Sequence, residues 1–549
     1  MLAAEAVGRV VAAMGADHVF GVVGSGNFHV TNALVAGGAR FVAARHEGGA
    51  ATMADAYARL SGTLGVVTVH QGCGLTNAMT GITEAAKSRT PLLVLAADTA
   101  RSAVLSNFRI DQDQLAASVG AVPARLHSAG SAVEDTVRAV RLALTERRTV
   151  VLNLPVDVQA EQVPAPPVTL GSLTPLAAPE PRDEQVAALV DLLRSAQRPV
   201  FVAGRGAQGS GARQALEELA DRRGALLATS AVSRGMFTGS PWSLDVSGGF
   251  ASPLAAELIT GADVIVGWGC ALNMWTMRHG RLIGPGAAVA QVDVEPAALG
   301  AHRPVDVGVV GDVAAVARAV SAGLGEQEKG RVGYRDEDIA RRLRKSVRWR
   351  SVPYDDSSVQ DRIDPRTLTI ALDDLLPPER VVAVDSGNFM GWPSMFLGVP
   401  DGRSFCFTQA FQSVGLGLSS AIGSALARPD LLAVAALGDG GALMAAAELE
   451  TVARLGLPMV VLVYDDEAYG AEVHHFGPAG YLLDTVVFPP TDLAAIGRGY
   501  GFDAVTVRQP ADLSAVTQWL VGARGRPLLV DAKITRQPSW WLEEAFRGH

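Results

Sequence analysis

A glycine-rich turn between two apolar stretches constrains the fold of this chain more than any other feature. Residues 431–437 are apolar enough for a buried parallel strand, and the glycines of residues 438–441 let the backbone pass close to a ligand. Residues 442–455 predict a helix that ends before a glycine and a proline, and residues 459–464 predict a second strand. The sequence therefore predicts a βαβ unit with a glycine-rich turn at its mouth.

One acidic residue, Asp439, lies in this turn, and another, Asp466, follows the second strand. Twenty-five residues separate Gly440 from Asp466, enough for the crossover to return Asp466 beside Asp439 at the carboxyl ends of neighbouring strands. An ordinary βαβ turn would account for the glycines alone, but it does not account for the acid pair. Oxygen ligands at this edge suit Mg²⁺ or Ca²⁺ that bridges a diphosphate.

Bulk composition excludes several other classes of protein. A net charge of −9 and a pI near 5.6 argue against a nucleic-acid surface, which needs clustered Lys and Arg. No apolar run approaches the ~20 residues of a membrane span. The cysteines Cys73, Cys270 and Cys406 are far apart in sequence, so we expect a reducing, cytoplasmic location with no disulfide framework.

Short apolar stretches alternate with helical ones along the 549 residues, which predicts an α/β fold with three consecutive doubly wound parallel-sheet domains. We expect the first domain at residues 1–163, a proline-rich linker at 164–182 and the middle domain at 183–325. A charged connector at 326–364, which contains the run Arg341 to Lys345, then leads to the third domain at 365–549. The simplest structural interpretation of those charges is a solvated helix between domains.

The opening turn resembles the thiamin diphosphate signature of the superfamily that contains acetolactate synthase, pyruvate decarboxylase and benzoylformate decarboxylase. That signature is a Gly-Asp-Gly turn followed, after a similar spacing, by two asparagines. The resemblance implies that the three domains are pyrimidine-binding (PYR), middle and diphosphate-binding (PP) domains. It also implies that Asp439, Asp466 and the carbonyl of Ala468 hold Mg²⁺. This chain departs from the family because Asp465 and Asp466 replace the asparagines.

The stretch from Arg45 to Ala58 resembles the superfamily's Arg-His-Glu pattern nearly residue for residue. Glu47 thereby resembles the glutamate that hydrogen-bonds N1′ of the cofactor's aminopyrimidine. A carboxyl removed from water has its pKa raised and is able to share a proton with that nitrogen. The alternative is an acid at a helix N-terminus that the helix dipole favours.

Two further motifs of the first domain indicate the substrate pocket. Ser25 follows a loop similar to the superfamily's Phe-Gly-Val-Pro-Gly, at the position where benzoylformate decarboxylase carries serine. His70, beside Gln71, resembles that enzyme's active-site histidine. A hydroxyl binds a carboxylate, and an imidazole moves protons near neutrality. His29 is a second pocket candidate with no family counterpart.

Other cofactor-binding residues follow from the resemblance. The Gln412 carbonyl would bond the 4′-amino group, and Val414, smaller than the family's methionine, would sit beneath the cofactor and force its V shape. Backbone N–H groups after Asp385 could bind the diphosphate, although a plain turn fits those residue types nearly as well. The full set is Glu47, Asn77, Gly387, Asn388, Gln412, Val414, Gly438, Gly440, Gly441 and Tyr469.

The helix beginning after Tyr469 should line the pocket. Glu472 lies near the place where pyruvate decarboxylases have an acting glutamate. His475 stands where acetolactate synthases have a specificity tryptophan. His474 and His475 point in different directions on a helix, so pocket lining is a better interpretation than metal ligation.

The middle domain contains the pattern Gly-x-Gly-x-x-Gly at residues 204–209. A dinucleotide fingerprint also needs an acid near the end of the next strand, and residues 225–230 have none. The resemblance leaves FAD open, because some members of the superfamily hold it in this domain and others hold nothing.

We therefore predict a thiamin diphosphate- and Mg²⁺-dependent enzyme, with Ca²⁺ or Mn²⁺ as alternative metals, that decarboxylates a 2-oxo acid. The product would be an aldehyde or a carboligation product, with Ser25, His70 and Glu472 deciding between them. The alternatives are an acetolactate synthase-like carboligase, with or without FAD, and a non-catalytic thiamin diphosphate-binding regulatory protein. The resemblance implies a homodimer or homotetramer whose subunits share each active site.

Overall fold

Three parallel six-stranded sheets, one for each predicted α/β unit, make up the computed structural model of the chain. The structure describes residues 1–164, 178–325 and 332–539. Most of the predicted linker and the first residues of the charged connector lie outside these ranges. The three-domain, doubly wound α/β fold predicted from the sequence is confirmed.

The first sheet has its switch point between its first and third strands, since its strand order is 2-1-3-4-6-5. Its central strands are apolar throughout because helices cover both faces. The strands are β1 (His18–Gly21), β2 (Arg40–Ala43), β3 (Gly65–Val69), β4 (Leu92–Asp98), β5 (Val122–Arg125) and β6 (Thr149–Pro155), and the helices are α1 (Ala3–Ala13), α2 (Phe28–Ala36), α3 (Glu47–Ser61), α4 (Cys73–Lys87), α5 (Gln112–Ser118), α6 (Ala132–Thr145) and α7 (Val156–Gln159).

The middle sheet has a different strand order, with its switch point between the strands that begin at Pro199 and Val264. The strands are β7 (Pro199–Ala203), β8 (Leu226–Thr229), β9 (Ser243–Val246), β10 (Val264–Trp268), β11 (Ala288–Asp293) and β12 (Val307–Val310), and the helices are α8 (Asp183–Ser195), α9 (Arg205–Gly209), α10 (Arg213–Arg223), α11 (Pro253–Thr260) and α12 (Val313–Leu324). The charged run of the connector forms α13 (Glu337–Ser346), which buries Ile339 and Leu343 and leaves most of its charges in solvent.

The third sheet pairs its first strand, β13, with β14 on one side and β15 on the other, which again creates a switch point. The strands are β13 (Arg380–Val384), β14 (Phe405–Phe407), β15 (Leu432–Gly438), β16 (Met459–Asp465), β17 (Asp503–Val507) and β18 (Leu528–Lys533), and the helices are α14 (Pro365–Leu375), α15 (Gly391–Phe396), α16 (Gly417–Ala427), α17 (Asp439–Met444), α18 (Glu448–Leu455), α19 (Gly470–Phe476), α20 (Leu493–Gly499) and α21 (Ser514–Val521).

One predicted helix is broken in two. The sequence predicted a single helix over residues 442–455, but α17 ends at Met444 and α18 begins at Glu448. The buried Glu448 carboxylate accepts hydrogen bonds from the backbone N–H groups of Arg45 (2.9 Å) and His46 (3.1 Å). We attribute the break to this contact, which joins α18 to the start of α3.

The first and third domains of the chain share a hydrophobic core, in which α3 packs against both α4 and α16. Cys73, Cys270 and Cys406 are free thiols, as predicted. Within the described ranges, every helix is too short or too polar to cross a bilayer.

Candidate functional site

The switch point of the third sheet gathers the predicted diphosphate-binding residues. Strands β13 and β15 are neighbours, so the turn after β13 and the glycine-rich turn after β15 meet at the carboxyl edge of the sheet. Gly387 in the first turn has a φ of 140°, a conformation open only to glycine. A Cβ on Gly438 would lie 3.0 Å from the Phe389 ring, so the two turns approach each other closely.

Asp385 joins these turns, and its carboxylate is completely buried. It accepts hydrogen bonds from the backbone N–H groups of Ser386 (2.8 Å), Gly415 (3.0 Å) and Leu416 (3.1 Å). A Cβ on Gly441 would lie 2.3 Å from its Oδ2, so that position must be glycine. Burial raises the pKa of Asp385 to about 6, against the opposing effect of these N–H donors. Asp385 therefore fixes the Val414 loop against the glycine-rich turn.

Asp439 and Asp466 form the predicted metal pair. Burial, reinforced by the charges of Asp466 and Asp465, raises the pKa of Asp439 to about 8. Burial also raises the pKa of Asp466 to about 7, although the charge of Arg536 opposes this. Neighbouring buried carboxylates of this kind fit a divalent cation, which removes their mutual repulsion. No cluster of three His, Cys, Asp or Glu side chains suited to a metal occurs in the described ranges, so a metal here would need ligands from a diphosphate and water.

Asp465 belongs to the fold and not to the metal pair. Its carboxylate is buried and forms an ion pair with Lys533 of the adjacent strand β18, and it also accepts from the backbone N–H of Glu467 (3.1 Å). Lys533 contacts Asp531 as well, at 3.3 Å. The extra charge at Asp465 is therefore neutralised inside the domain.

The turn after β16 is shaped around Asp466. A Cβ on Gly470 would lie 2.6 Å from Asp466 Oδ2, and a Cβ on Gly440 would lie 2.7 Å from the Tyr469 ring. Both glycines are therefore required by close approach. Arg536 donates to the carbonyl of Asp466 (2.8 Å), and the buried Ala468 lies directly after this turn.

The remaining cofactor candidates of the third domain lie around the same edge. Gln412 has a φ of 62° and is exposed, and Val414 stands with its Cγ1 3.4 Å from the Cβ position of Gly441. The side chain of Asn388 bonds the C-terminal segment, since it donates to the Gln537 carbonyl (2.8 Å) and accepts from the Ser539 N–H (3.0 Å). Asn388 thereby ties that segment to the diphosphate edge.

The switch point of the first sheet carries Glu47 and its partner. Glu47 is the first residue of α3, after the cap His46, whose Nδ1 accepts from the Gly48 N–H. The exposed Asn77, one turn into α4, donates its Nδ2 to Glu47 Oε2 at 3.0 Å. The carboxylate of Glu47 thus lies over the start of α4, partly open to solvent.

Ser25 and His70 meet at the same edge. Ser25 Oγ lies 3.4 Å from His70 Nε2, and His70 Nδ1 lies 3.0 Å from the Gln71 carbonyl. A neutral His70 that donates from Nδ1 to this carbonyl leaves Nε2 free to accept a proton. The Phe108 ring packs edge-on against His70, with centroids 5.2 Å apart. Gln71 Oε1 is buried without a partner in the described ranges.

The other pocket candidates lie on α2 and α19. His29 is exposed in the first turn of α2, against Phe28. In α19, Glu472 is partly exposed, and His475 is exposed and contacts the Phe476 ring. His474 is half-buried, and its burial lowers its pKa, an effect that the charge of Arg536 reinforces.

The glycine-rich loop after β7 lies at the switch point of the middle domain. A Cβ on Gly204 would lie 2.2 Å from the Gly269 carbonyl oxygen, and one on Gly206 would lie 2.7 Å from Gly269 Cα. These glycines therefore pack against backbone. Arg205 extends to the Ser88 carbonyl at the end of α4. This glycine-rich loop therefore connects the middle domain to the first domain.

The fold defines a class of protein, namely three-domain α/β enzymes built from doubly wound parallel sheets. Sequence comparison gives the family. Residues 1–117 match the thiamine pyrophosphate enzyme N-terminal binding domain, residues 186–320 its central domain and residues 385–532 its C-terminal binding domain. The chain belongs to the thiamine pyrophosphate enzyme family.

Relatives of full length carry several activities in their names. A sulfoacetaldehyde acetyltransferase of Rhodobacter capsulatus is 28% identical, over 100% of this chain and 96% of its own. The acetolactate synthase large subunit of Parasynechococcus marenigrum is 28% identical, over 95% and 86%. A probable 2-ketoarginine decarboxylase of Pseudomonas aeruginosa is 29% identical, over 96% and 92%. The protein is thus an enzyme of the kind that uses 2-oxo acids.

Sequence reasoning missed three residues of the site. Asp385 was noted only as the start of a turn, and Lys533 and Arg536 were not noted. Each acts through a contact between strands or loops distant in sequence. The only signal for Asp385 in the sequence was its position, because it is an acid directly after the apolar run of β13.

We predict that Asp385→Asn weakens thiamin diphosphate binding about ten-fold or more. The amide would turn one acceptor into a donor that faces backbone N–H groups, and an unmatched buried polar group costs roughly 1–3 kcal/mol. The measurement is calorimetric titration of the apoprotein with cofactor in excess Mg²⁺. Asp430→Asn, which removes an exposed acid of the same domain, is the matched control. Equal affinities in the two variants would contradict the role given to Asp385.

Proposed function

We propose that the protein is a thiamin diphosphate- and Mg²⁺-dependent 2-oxo acid decarboxylase with a pocket like that of benzoylformate decarboxylase. The observation that carries this proposal is the pair formed by Ser25 Oγ and His70 Nε2, 3.4 Å apart beside Glu47. A hydroxyl and an imidazole at this position match the serine and histidine expected of such a pocket. Conversion of a 2-oxo acid to an aldehyde needs a group that binds the carboxylate and a group that delivers a proton.

Bound thiamin diphosphate would supply an electron-accepting thiazolium, which makes loss of CO₂ from a 2-oxo acid feasible. The residues of the chain would bind, orient and move protons around it. Glu47 would hold a proton against N1′ of the aminopyrimidine, with Asn77 orienting its carboxyl. Ser25 would bind the substrate carboxylate, and His70 would deliver the proton that completes the aldehyde. Phe108 restricts water beside His70.

An acetolactate synthase-like carboligase is the second candidate, because the chain resembles that enzyme over nearly its whole length. This chain differs from acetolactate synthases at the position expected to set substrate specificity, because His475 stands where a tryptophan is expected. Glu472 and His474, on the same short helix, would add polar groups to the pocket of such an enzyme. These replacements favour the decarboxylase.

We also propose that each active site is shared between two subunits. Within one chain, Glu47 lies at the start of α4 beside Asn77, while the Phe411 N–H donates to Glu84 near the end of the same helix (2.7 Å). Asn77 and Glu84 are seven positions apart on the helix, or about 10 Å along its axis. Glu47 and the Gln412 carbonyl would both contact one aminopyrimidine ring, and we propose that they come from different subunits.

Exposed apolar side chains support the shared site. Val104 and Leu105 are 62% and 96% exposed beside the first edge, and Tyr481 and Leu482 are 66% and 88% exposed after α19. Large apolar side chains in solvent are typical of association surfaces. A homodimer or homotetramer would cover them.

The experiment that tests the function is an assay of the holoenzyme with pyruvate and with benzoylformate. We expect CO₂ release and aldehyde from the aromatic acid, with little acetoin or acetolactate from pyruvate. Glu47→Gln should reduce turnover roughly 10²- to 10⁴-fold, because it removes the proton-holding carboxyl.

The exposed Glu134→Gln in the same domain is the control and should retain full activity. Acetolactate formation from pyruvate as the main reaction would favour the second candidate over the decarboxylase. Wild-type turnover by Glu47→Gln with cofactor bound would remove the catalytic assignment of Glu47.

Co-expression of two inactive variants tests the shared site. We expect Glu47→Gln and Asp439→Asn each to be inactive alone. In a random mixture half of the dimers are mixed, and one of the two sites in each mixed dimer is intact, so roughly a quarter of the wild-type activity returns. If both residues act within one chain, the mixture stays as inactive as its components.

We propose that Asp466, an anion where the family has a neutral asparagine, tightens metal binding or shifts preference toward Ca²⁺ or Mn²⁺. We expect Asp466→Asn to bind divalent cations about ten-fold more weakly in the presence of thiamin diphosphate, because one full charge is lost from the site. Titration with Mg²⁺, Ca²⁺ and Mn²⁺ by calorimetry measures this. The exposed Asp484→Asn is the control, and equal affinities for every metal in both variants would end the proposal.

A further inference from the structure

A second cleft lies where the middle domain, the connector and the third domain meet. We call it the interdomain cleft, and its walls come from residues 229–245, residues 343–351 and Gly398–Val399. Its volume is about 250 Å³, enough for roughly eight water molecules. This volume suits a small metabolite and is too small for a flavin or a nicotinamide dinucleotide.

Positive charge dominates the lining of the interdomain cleft. Four arginines, Arg234, Arg344, Arg348 and Arg350, face one acid, Asp245. The whole chain carries a net charge of −9, so this excess of cations is local. A concave cationic site of this kind attracts anions.

One of these arginines is already paired with acids, and the two at the rim are not. Arg350 binds Asp374 (2.8 Å) and Asp373 (3.3 Å). Arg344 and Arg348 are exposed at the rim and form no ion pair with any residue in the described ranges.

Arg234 forms the buried end of the cleft and is only 4% exposed. Its guanidinium lies over the Phe405 ring, 5.3 Å from the centroid, and Nη1 donates weakly to the Pro393 carbonyl at 3.4 Å. Its Nε is 3.6 Å from Asp245 Oδ1, too far for a hydrogen bond, and has no other partner within the described residues. A buried guanidinium with unused bonding capacity is unusual and indicates a site that a ligand completes.

A solvated connector helix would explain part of this pattern. Arg344 and Lys345 lie in the last turn of α13, where cations complement the helix dipole. That explanation does not account for Arg234, which comes from another domain and is buried. It also does not explain why the unpaired arginines and Arg234 line one cavity while Lys345 does not.

We propose that the interdomain cleft binds a small multivalent anion, either a phosphate compound or a polycarboxylate. Arg344 and Arg348 bind its exposed end, and Arg234 binds its buried end. The cleft is formed by residues other than those assigned to the cofactor and metal, so the anion is neither substrate nor cofactor of the reaction proposed above.

The test is calorimetric titration of the holoenzyme, saturated with thiamin diphosphate and Mg²⁺ so that the diphosphate edge is filled. The probes are inorganic phosphate and tricarballylate, at constant ionic strength. We expect saturable binding of at least one probe. The double variant Arg344→Ala/Arg348→Ala should weaken it about ten-fold or more, because hydrogen bonds to charged groups are lost.

Lys345→Ala, which removes a neighbouring cation outside the cleft, should bind within about two-fold of the wild type. Binding of phosphate alone identifies the ligand as a phosphate compound, and binding of tricarballylate alone identifies a polycarboxylate. The proposal is overturned if neither probe saturates in the millimolar range, or if the double variant and Lys345→Ala bind like the wild type. Both sets of side chains are exposed, and equal unfolding temperatures would show that the variants fold.

Discussion

A buried ionic network centred on Arg59 holds the three domains in one arrangement. Arg59 bonds Asp55 and Glu84, whose side chains are both fully buried, and donates to the Phe407 carbonyl of the third domain. Although burial raises the pKa of Glu84, the charge of Arg59 and the N–H groups of Ala410 and Phe411 hold it below its ordinary value. Loss of one partner from such a buried network typically costs about 3–5 kcal/mol, since it leaves an uncompensated charge. The middle domain joins this network through Arg205, by way of the C-terminal end of α4.

This network fixes the positions of two groups of residues that we propose for the active site. It fixes the end of α4 against the loop that leads to Gln412, while the start of the same helix carries the Asn77 partner of Glu47. The two groups thus lie at opposite ends of one rigid helix of the chain. Two of the three sheets carry the proposed site residues at their switch point. The third, in the middle domain, uses its switch point for packing between Gly204 and Gly269.

Features that depend on local sequence could be predicted, whereas contacts between segments distant in sequence could not. Apolar strands buried on both faces were predictable, whereas β5, with Pro123 and partly exposed residues, lacks that pattern. Asp439 and Asp466 could be proposed because the crossover between neighbouring strands fixes their spacing. Asp385 could not be assigned a role, because its partners are N–H groups of a loop some thirty residues away. Lys533 could not be matched to its partner either, because strand order in a sheet is a property of tertiary packing.

The two acids that replace the family's asparagines have different physical consequences. Asp465 faces β18, where Lys533 balances its charge within the domain, so this replacement is an exchange of one buried polar contact for a buried ion pair. Asp466 faces the glycine-rich turn, where its neighbour is another acid, Asp439. Arg536 offsets part of that charge. Its guanidinium donates hydrogen bonds to the backbone carbonyls of Asp466 and Glu467. The folded chain therefore compensates the charge of Asp465 by itself and that of Asp466 only in part, which is why we propose a cation at Asp466 and a structural role for Asp465.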